Sequence, residues 1–345
     1  MNVPPFFVRG RASSASRTGP SLGGRRGVLL GGASILAMPS AVRAQDYTNR
    51  PVRIVVPFPA GGTADLTARL AARVLQGRLG QPVVVENRAG AGGNIAAEHV
   101  ARSTPDGHTL LLAGQAILAI NAALYPRLSY DPAADFAFLG MAGISANVLI
   151  SHPAAAPART IGELIAVAKA RPGAIAYGSN GPGSLAHLTV EVLAKEAGIS
   201  FLHVPYGGAA PLLTDLLAGR IGFCLTATPV ALPPVRDARL LALAVTTGAR
   251  IAPLPEVPTL VESGFPALDA PSWFGLAAPA ATPAPILARL RAEMDALNRS
   301  EAYRAELAGL FSDPMPLTQA EADALLTRER RTWTEAVRSS GARAE

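Results

Sequence analysis

The chain has 345 residues, 49% hydrophobic and 16% charged, with 33 glycines and 30 prolines, which favours many short elements and tight turns over long bundled helices. That length is ample for one large domain or two medium ones. The formal net charge of +6 sits entirely in residues 1–44, whose six arginines (Arg9, Arg11, Arg17, Arg25, Arg26, Arg43) face no acid; the remainder balances 25 basic against 25 acidic residues, which removes the main argument for a nucleic-acid partner.

The first segment reads as a cleaved export signal over residues 1–44. Arg25-Arg26 precede a short, glycine-softened apolar run, and Val42-Arg43-Ala44 supplies a small-residue cleavage site. The paired arginines and the Arg43 near the cut favour the twin-arginine route over the general secretory one. The charge-free run from Gly27 to Val42 is shorter than the roughly 20 residues a membrane span needs. Gln45 stands where a lipid anchor would require cysteine. The expected address is therefore the periplasm. The one cysteine, Cys224, excludes an intramolecular disulfide and lies in an apolar run, where it reads as a small buried side chain rather than a catalytic thiol.

Beyond the leader, apolar runs alternate with helical segments. IVVPF (54–58) precedes a helix near 64–78, VVVEN (83–87) a helix near 94–103, and TLLLA (109–113) an alanine-rich segment near 116–124. Near-continuous apolar strands of this kind suit parallel strands covered on both faces. The pattern restarts at ANVLISH (146–152). Strands follow at 175–180, 199–206, 221–227 and 240–247, with helices near 184–197 and 209–218 between them. Capping boxes at Thr160–Glu163 and Thr259–Glu262 predict a long and a short helix, and SWFGLAAPA (272–280) a further strand. The tail predicts helices from Thr282-Pro283, from Ser300 and from the capping box at Thr318–Glu321. The switch near 145 and the return near 270 predict two α/β lobes, each a mostly parallel sheet flanked by helices. One lobe would hold 46–144 plus 269–345 and the other 145–268, with the ligand cleft between them.

Four glycine-bearing loops follow strands: PAGGTAD (59–65), NRAGAGGN (87–94), GSNGPGS (178–184) and Tyr206-Gly207-Gly208. Such loops sit at the carboxyl ends of strands, where open sheets bind ligands, and their bare amides and helix starts suit a small anion. A dinucleotide loop is disfavoured because Ile95 stands where its third glycine belongs, and no P-loop lysine pattern exists. No nucleophile elbow occurs, and His99, His108, His152, His187 and His203 show no metal spacing, so neither a metal nor a cofactor is expected. A Ser184/His187 hydrolase pair is conceivable, but Ser184 fits a plain helix N-cap better. Asp65 suits a polar ligand contact or a first-turn helix acid. Phe58, Tyr206, Trp273 and Phe274 stand at strand ends, where aromatic side chains can wall a cleft or fill the core.

These motifs, in order from RPVRIVVPFPAGGTAD through YGSNGPGSLAHL and HVPYGGAAPLLTDLLAGRI to SWFGLAAPAATP, resemble the Bug (Bordetella uptake gene) family over essentially the whole mature chain. These are the periplasmic solute receptors of tripartite tricarboxylate transporters. The resemblance implies a two-lobed periplasmic-binding-protein fold of type II-like form that closes on a carboxylate and performs no chemistry. It also implies docking, as a monomer, to the membrane subunits of a secondary transporter. Carried over residue by residue, it assigns ligand contacts to Phe58, Ala60, Gly61, Gly62, Thr63 and Asp65 in one lobe. In the other it assigns Ser179, Asn180, Gly183, Ser184, His187, Tyr206, Gly207 and Thr226. An alternative within the same resemblance is a receptor that presents its ligand to a membrane sensor kinase. The stretch Gly222-Phe223-Cys224 is less polar than the family's corresponding one.

Overall fold

The computed structural model describes residues 49–344; the export signal expected over residues 1–44 lies outside them. In chain order the first strands and helices are β1 (Val52–Val56), α1 (Thr63–Leu79), β2 (Val83–Asn87), α2 (Asn94–Ala101), β3 (Thr109–Gly114), α3 (Asn121–Leu124) and β4 (Phe136–Ser145). A second series follows: β5 (Asn147–Ser151), α4 (Ile161–Ala170), β6 (Ala176–Ser179), α5 (Leu185–Ala197), β7 (Leu202–Pro205), α6 (Ala209–Leu217), β8 (Phe223–Ala227), α7 (Thr228–Arg236) and β9 (Leu241–Val245). The chain ends with β10 (Ser272–Pro279), α8 (Ala284–Asn298), α9 (Glu301–Gly309), β11 (Ser312–Asp313) and α10 (Gln319–Ser340).

The strands form two sheets, one per lobe, in the orders β11-β4-β10-β3-β1-β2 and β7-β6-β8-β5-β9. Sheet membership switches at Ala146, between β4 and β5, and back between β9 and β10. Each sheet has a parallel half (β2-β1-β3; β7-β6-β8) and an antiparallel half (β3-β10-β4-β11; β8-β5-β9). The expectation of mostly parallel sheets is refined accordingly. Apolar runs such as VRIVV and NVLIS reflect cover on both faces, a condition that antiparallel central strands meet equally well.

Helices cover both faces of each sheet. On the first sheet, α1, α8 and α9 bury one face through Leu70, Leu75, Leu290, Met294 and Leu307. Ala64, Ala68, Ala71, Leu75 and Leu79 repeat at helical spacing along α1, so one stripe faces the sheet. The helix stops at Gly80, whose left-handed conformation returns its amide to Gln76. The opposite face packs on α2 and the first half of α10. The second sheet is covered by α4 and α5 on one side and by α6 and α7 on the other. A fifth apolar cluster joins Ile120 and Leu124 beside the first sheet, Leu188 of α5 and Trp333, Ala336 and Val337 of α10.

The sequence reading passed over the two-residue strand β11 and two longer elements. The strand β4 carries Gly140 and Gly143, which interrupt its apolar pattern; a methyl group at either would press on Met294 or Leu307, so the glycines let α8 and α9 lie close to the sheet. The helix α7 contains Pro233 and Pro234, which argue against a helix, yet its start is tied down by the Thr228 amide and hydroxyl, both donating to the Ala146 carbonyl. Conversely, the capping interactions at Thr259 and Glu262 exist but close only a single turn, not a helix.

Candidate functional site

The loop after β1 is shaped by Asp65. Its side chain, 2% exposed, accepts from the Gly61 amide at 2.9 Å, from Arg69 Nε at 2.9 Å and from Asn87 Nδ2 at 3.0 Å. Asn87 Nδ2 also reaches the Phe58 carbonyl at 3.1 Å, which ties β2 to the same loop. The Arg69 hydrogen bond, aided by those from Gly61 and Asn87 and opposed by burial, holds the Asp65 carboxyl down at about 2. With Gly61 turned inward at φ +86, Ala60 to Gly62 are exposed and Thr63 half-buried, and no side chain caps the first turn of α1. The amides of Gly62, Thr63 and Ala64 therefore have no side-chain cap at the positive end of a 17-residue helix.

The loop after β6 is internally satisfied. The Gly181 amide donates to Ser179 Oγ (3.1 Å), Gly183 to His187 Nδ1 (3.0 Å), Ser184 to the Gly181 carbonyl (3.2 Å) and His187 to Ser184 Oγ (3.3 Å). Ser184 is thus the N-cap of α5. Because a backbone amide donates to His187 Nδ1, that ring is neutral with its proton on Nε2. Its acceptor nitrogen is occupied and cannot take a proton from Ser184, which removes the geometry a hydrolase pair needs. The His187 ring stacks on His203 at 4.0 Å and lies parallel to Tyr177 at 6.5 Å. Burial lowers the pKa of both histidines, that of His203 to about 4.

A cavity of about 340 Å³ opens where these regions meet. Among the expected residues, Phe58, Asn180, Gly183 and Ser184 line it. Ala60 to Thr63 and Asp65 are not in its wall. Ser179 supports the loop from beneath, with its hydroxyl 2.7 Å from His203 Nε2, and His187 holds Gly183. Tyr206 turns its hydroxyl to Asp215 at 3.0 Å, Gly207 is exposed, and Thr226 is buried in β8 opposite Val148. Those three residues do not line the cavity.

Trp273 and Phe274 both line it; the Phe274 ring meets Phe58 edge-on at 6.1 Å, and Trp273 also belongs to the core. The sequence reading missed Gln115, Asn121, Leu124, Tyr125 and Ser272. Gln115 follows the carboxyl end of β3, the one signal that pointed to it. Asn121 bonds to the Gly92 carbonyl and to Asn94, fixing the second glycine loop at the cavity wall. A wider hollow of about 850 Å³ lies between α5 and α10, walled by Lys195, Glu196, Arg331, Glu335 and Arg338, and none of the glycine loops contributes to it. Cys224 is buried, which pushes its thiol well above the usual range and keeps it protonated.

This arrangement has known counterparts. The family described as tripartite tricarboxylate transporter family receptor matches residues 67–341. Protein BugT of Bordetella pertussis is 36% identical over 318 residues, covering 92% of this chain and 96% of that protein. Among solved structures, R. palustris Rpa4515 with adipate superposes with a TM-score of 0.75 at 34% identity, over 86% of this chain and 99% of that one. The periplasmic binding protein BugD does so with 0.71 at 30% identity, over 86% and 99%. With two sheets facing a cavity and likeness running through nearly the whole described chain, this protein belongs to the Bug family of tripartite tricarboxylate transporter receptors.

Proposed function

We propose that this chain is a periplasmic receptor that captures a small carboxylate between its two lobes and passes it to the membrane subunits of a tripartite tricarboxylate-type transporter. The carrying observation is the 340 Å³ cavity, to which glycine loops from both sheets contribute. A carboxylate group that reaches from the cavity past Phe58 to the start of α1 meets the uncapped amides of Gly62, Thr63 and Ala64, while Asn180 and Ser184 face the ligand from the second lobe. Asp65 and His187 act behind these contacts, as the groups that hold the two loops in shape. Closure around the ligand excludes water and strengthens each hydrogen bond. The solved relative that carries adipate supports the ligand class.

In this reading the lobes run over 46–144 plus 269–345 and over 145–268, and the protein acts as a monomer without chemistry of its own. It reaches the periplasm on a twin-arginine leader, cleaved after Ala44. A thermal-shift screen of mono-, di- and tricarboxylates tests the receptor reading. A true ligand at a hundred times its Kd adds about 2.7 kcal/mol of stability and raises Tm measurably. Should phosphate or a sugar raise Tm while every acid leaves it unchanged, the reading is wrong.

A further inference from the structure

We propose that Glu329 is a positioning residue for ligand binding. Its buried carboxyl ties the Trp273 indole, part of the cavity wall, to Trp333, where α10 packs against the second lobe. The chain has two tryptophans, and both meet this one carboxyl. The effect on affinity rests on the receptor reading; the contact itself does not.

Glu329 lies in the middle of α10 and is 6% exposed. Its Oε2 accepts a hydrogen bond from Trp333 Nε1, one turn along the helix. From β10 the Trp273 indole N–H bears on the same carboxyl without completing a hydrogen bond, and it meets no other acceptor. Trp273 is otherwise held by its amide, which donates to Gln115, and by its ring, which meets Phe138 edge to face at 6.1 Å. The polar edge of the Trp273 ring therefore depends on Glu329. Trp333 packs with Leu124 and with Leu188 of α5. The carboxyl thus stands where the cavity wall meets the helix that packs on both lobes.

A carboxyl in this place is costly, because no Lys, Arg or His among the described residues forms an ion pair with it. Burial raises its pKa; Trp333, Arg328 of the same helix and Trp273 oppose the rise, and Asp269, from the segment before β10, adds to it. The faces of α3 and α5 that pack here are apolar, Lys195 is paired with Glu335, and Arg330 turns to the Leu118 and Pro132 carbonyls. A hydrocarbon side chain at 329 would avoid the desolvation cost but leave two buried N–H groups unmet. The ionised carboxyl accepts from both indoles, whereas the protonated acid carries a hydrogen that needs an acceptor of its own. Loss of the charge as pH falls therefore loosens the hold on Trp273 and on the cavity wall.

The test reads tryptophan emission against pH in the purified protein, and affinity for adipate, the acid carried by a solved relative. Emission is expected to show a transition with its midpoint above 4.5, the ordinary value for glutamate. Trp333→Phe is expected to keep that transition, with Trp273 alone reporting it, and Glu329→Gln to abolish it. Glu329→Leu is expected to weaken adipate by about tenfold. Glu329→Gln keeps an acceptor and is expected to restore affinity to within about twofold of the parent at neutral pH. The ratio of parent to Glu329→Gln affinity, from which the ligand's own protonation cancels, is expected to fall through the pH range of the emission transition. A transition that persists in Glu329→Gln belongs to other groups, such as the stacked histidines, and overturns the assignment. Adipate binding by Glu329→Leu at the parent's strength overturns the positioning role, as does a Gln variant no better than the Leu one. Should Glu329→Leu fail to fold, the Gln and Phe variants carry the test. A parent protein that binds no carboxylate removes the receptor reading, and the emission titration then decides the Glu329 contact by itself.

Discussion

Asp65 shapes the site without lining it. Its carboxylate gathers an amide, a guanidinium and a side-chain amide, and these fix where Phe58 and the α1 amides stand. Asp65→Ala leaves the Gly61 amide without its acceptor and Asn87 Nδ2 with the Phe58 carbonyl alone, and is expected to lower stability by about 1–3 kcal/mol. It should also weaken ligand binding, because the loop loses its shape; urea unfolding and titration calorimetry read the two effects. Because the folded carboxyl sits near 2, below its unfolded value, its stabilisation is complete above about pH 4 and is lost as pH falls toward 2. Asp65→Asn should flatten that acid limb. The histidine stack gives a second limb. His187 and His203 are held neutral by burial, with Glu191 and Ser179 beside them. Their folded pKa values lie below the unfolded one, so stability is complete above about pH 6.5 and falls as pH drops through 6.5 toward 4. His203→Phe keeps the ring against Tyr177 and is expected to reduce the slope of Tm against pH over that range. From the sequence, Asp65 was legible as a group that matters, since a first-turn acid after a glycine loop is a local pattern. Of its three partners, Gly61 and Arg69 lie four residues to either side and need no tertiary packing, whereas Asn87 reaches it only once β2 and α1 are packed.

At the level of elements, the loop after β6 shows how tightly the lobes meet. Gly183 has φ +73, and a β-carbon there would lie 2.3 Å from a Leu124 methyl. Both facts require glycine: one is backbone conformation, the other a contact between the second lobe and α3 of the first. Gly183→Ala is expected to destabilise by about 1–2 kcal/mol from conformation and by about 1–3 kcal/mol more from overpacking. Adding Leu124→Ala should restore the second contribution but not the first, so a double-mutant cycle in urea separates them. The GSNGPGS motif announced a turn and a helix start, and both are present. That the turn would rest on Leu124 was beyond a local pattern, because residue 124 belongs to the other sheet's surroundings. The same limit explains the two longer missed elements. Gly140 and Gly143 weaken β4 as a strand signal, yet they permit α8 and α9 to approach it. Pro233 and Pro234 weaken α7 as a helix signal, yet Thr228 anchors its start to Ala146.

For the whole molecule, the decisive element is α10. Its capping box was legible in the sequence, and its buried residues Ala322, Leu325, Leu326, Trp333, Ala336 and Val337 fall on one apolar face. In the fold that face is shared. Ala322, Leu325 and Leu326 pack with Val55, Leu111 and Trp273 under the first sheet. About two to three turns later, Trp333, Ala336 and Val337 pack with Leu124 and with Leu188 of α5, beside the second sheet. A single rigid helix therefore touches both lobes, behind a cavity whose wall includes Leu124 and Trp273. Two kinds of contact make the bridge: buried apolar packing around Trp333, and the Lys195–Glu335 ion pair at 2.9 Å, whose side chains are more than half exposed. An exposed pair of this kind contributes about 0–1 kcal/mol, whereas truncating a buried tryptophan removes about 3–5 kcal/mol. Trp333→Ala is therefore expected to destabilise the protein several-fold more than Lys195→Ala. It should also weaken ligand binding, because the two walls of the cavity lose their common support. Urea unfolding and calorimetry of both variants check this, with 0.5 M salt as a control that moves only the ion-pair contribution. Equal losses in the two variants, or a Trp333→Ala protein that binds its ligand as the parent does, would show that the lobes are held together by something other than the apolar face of α10.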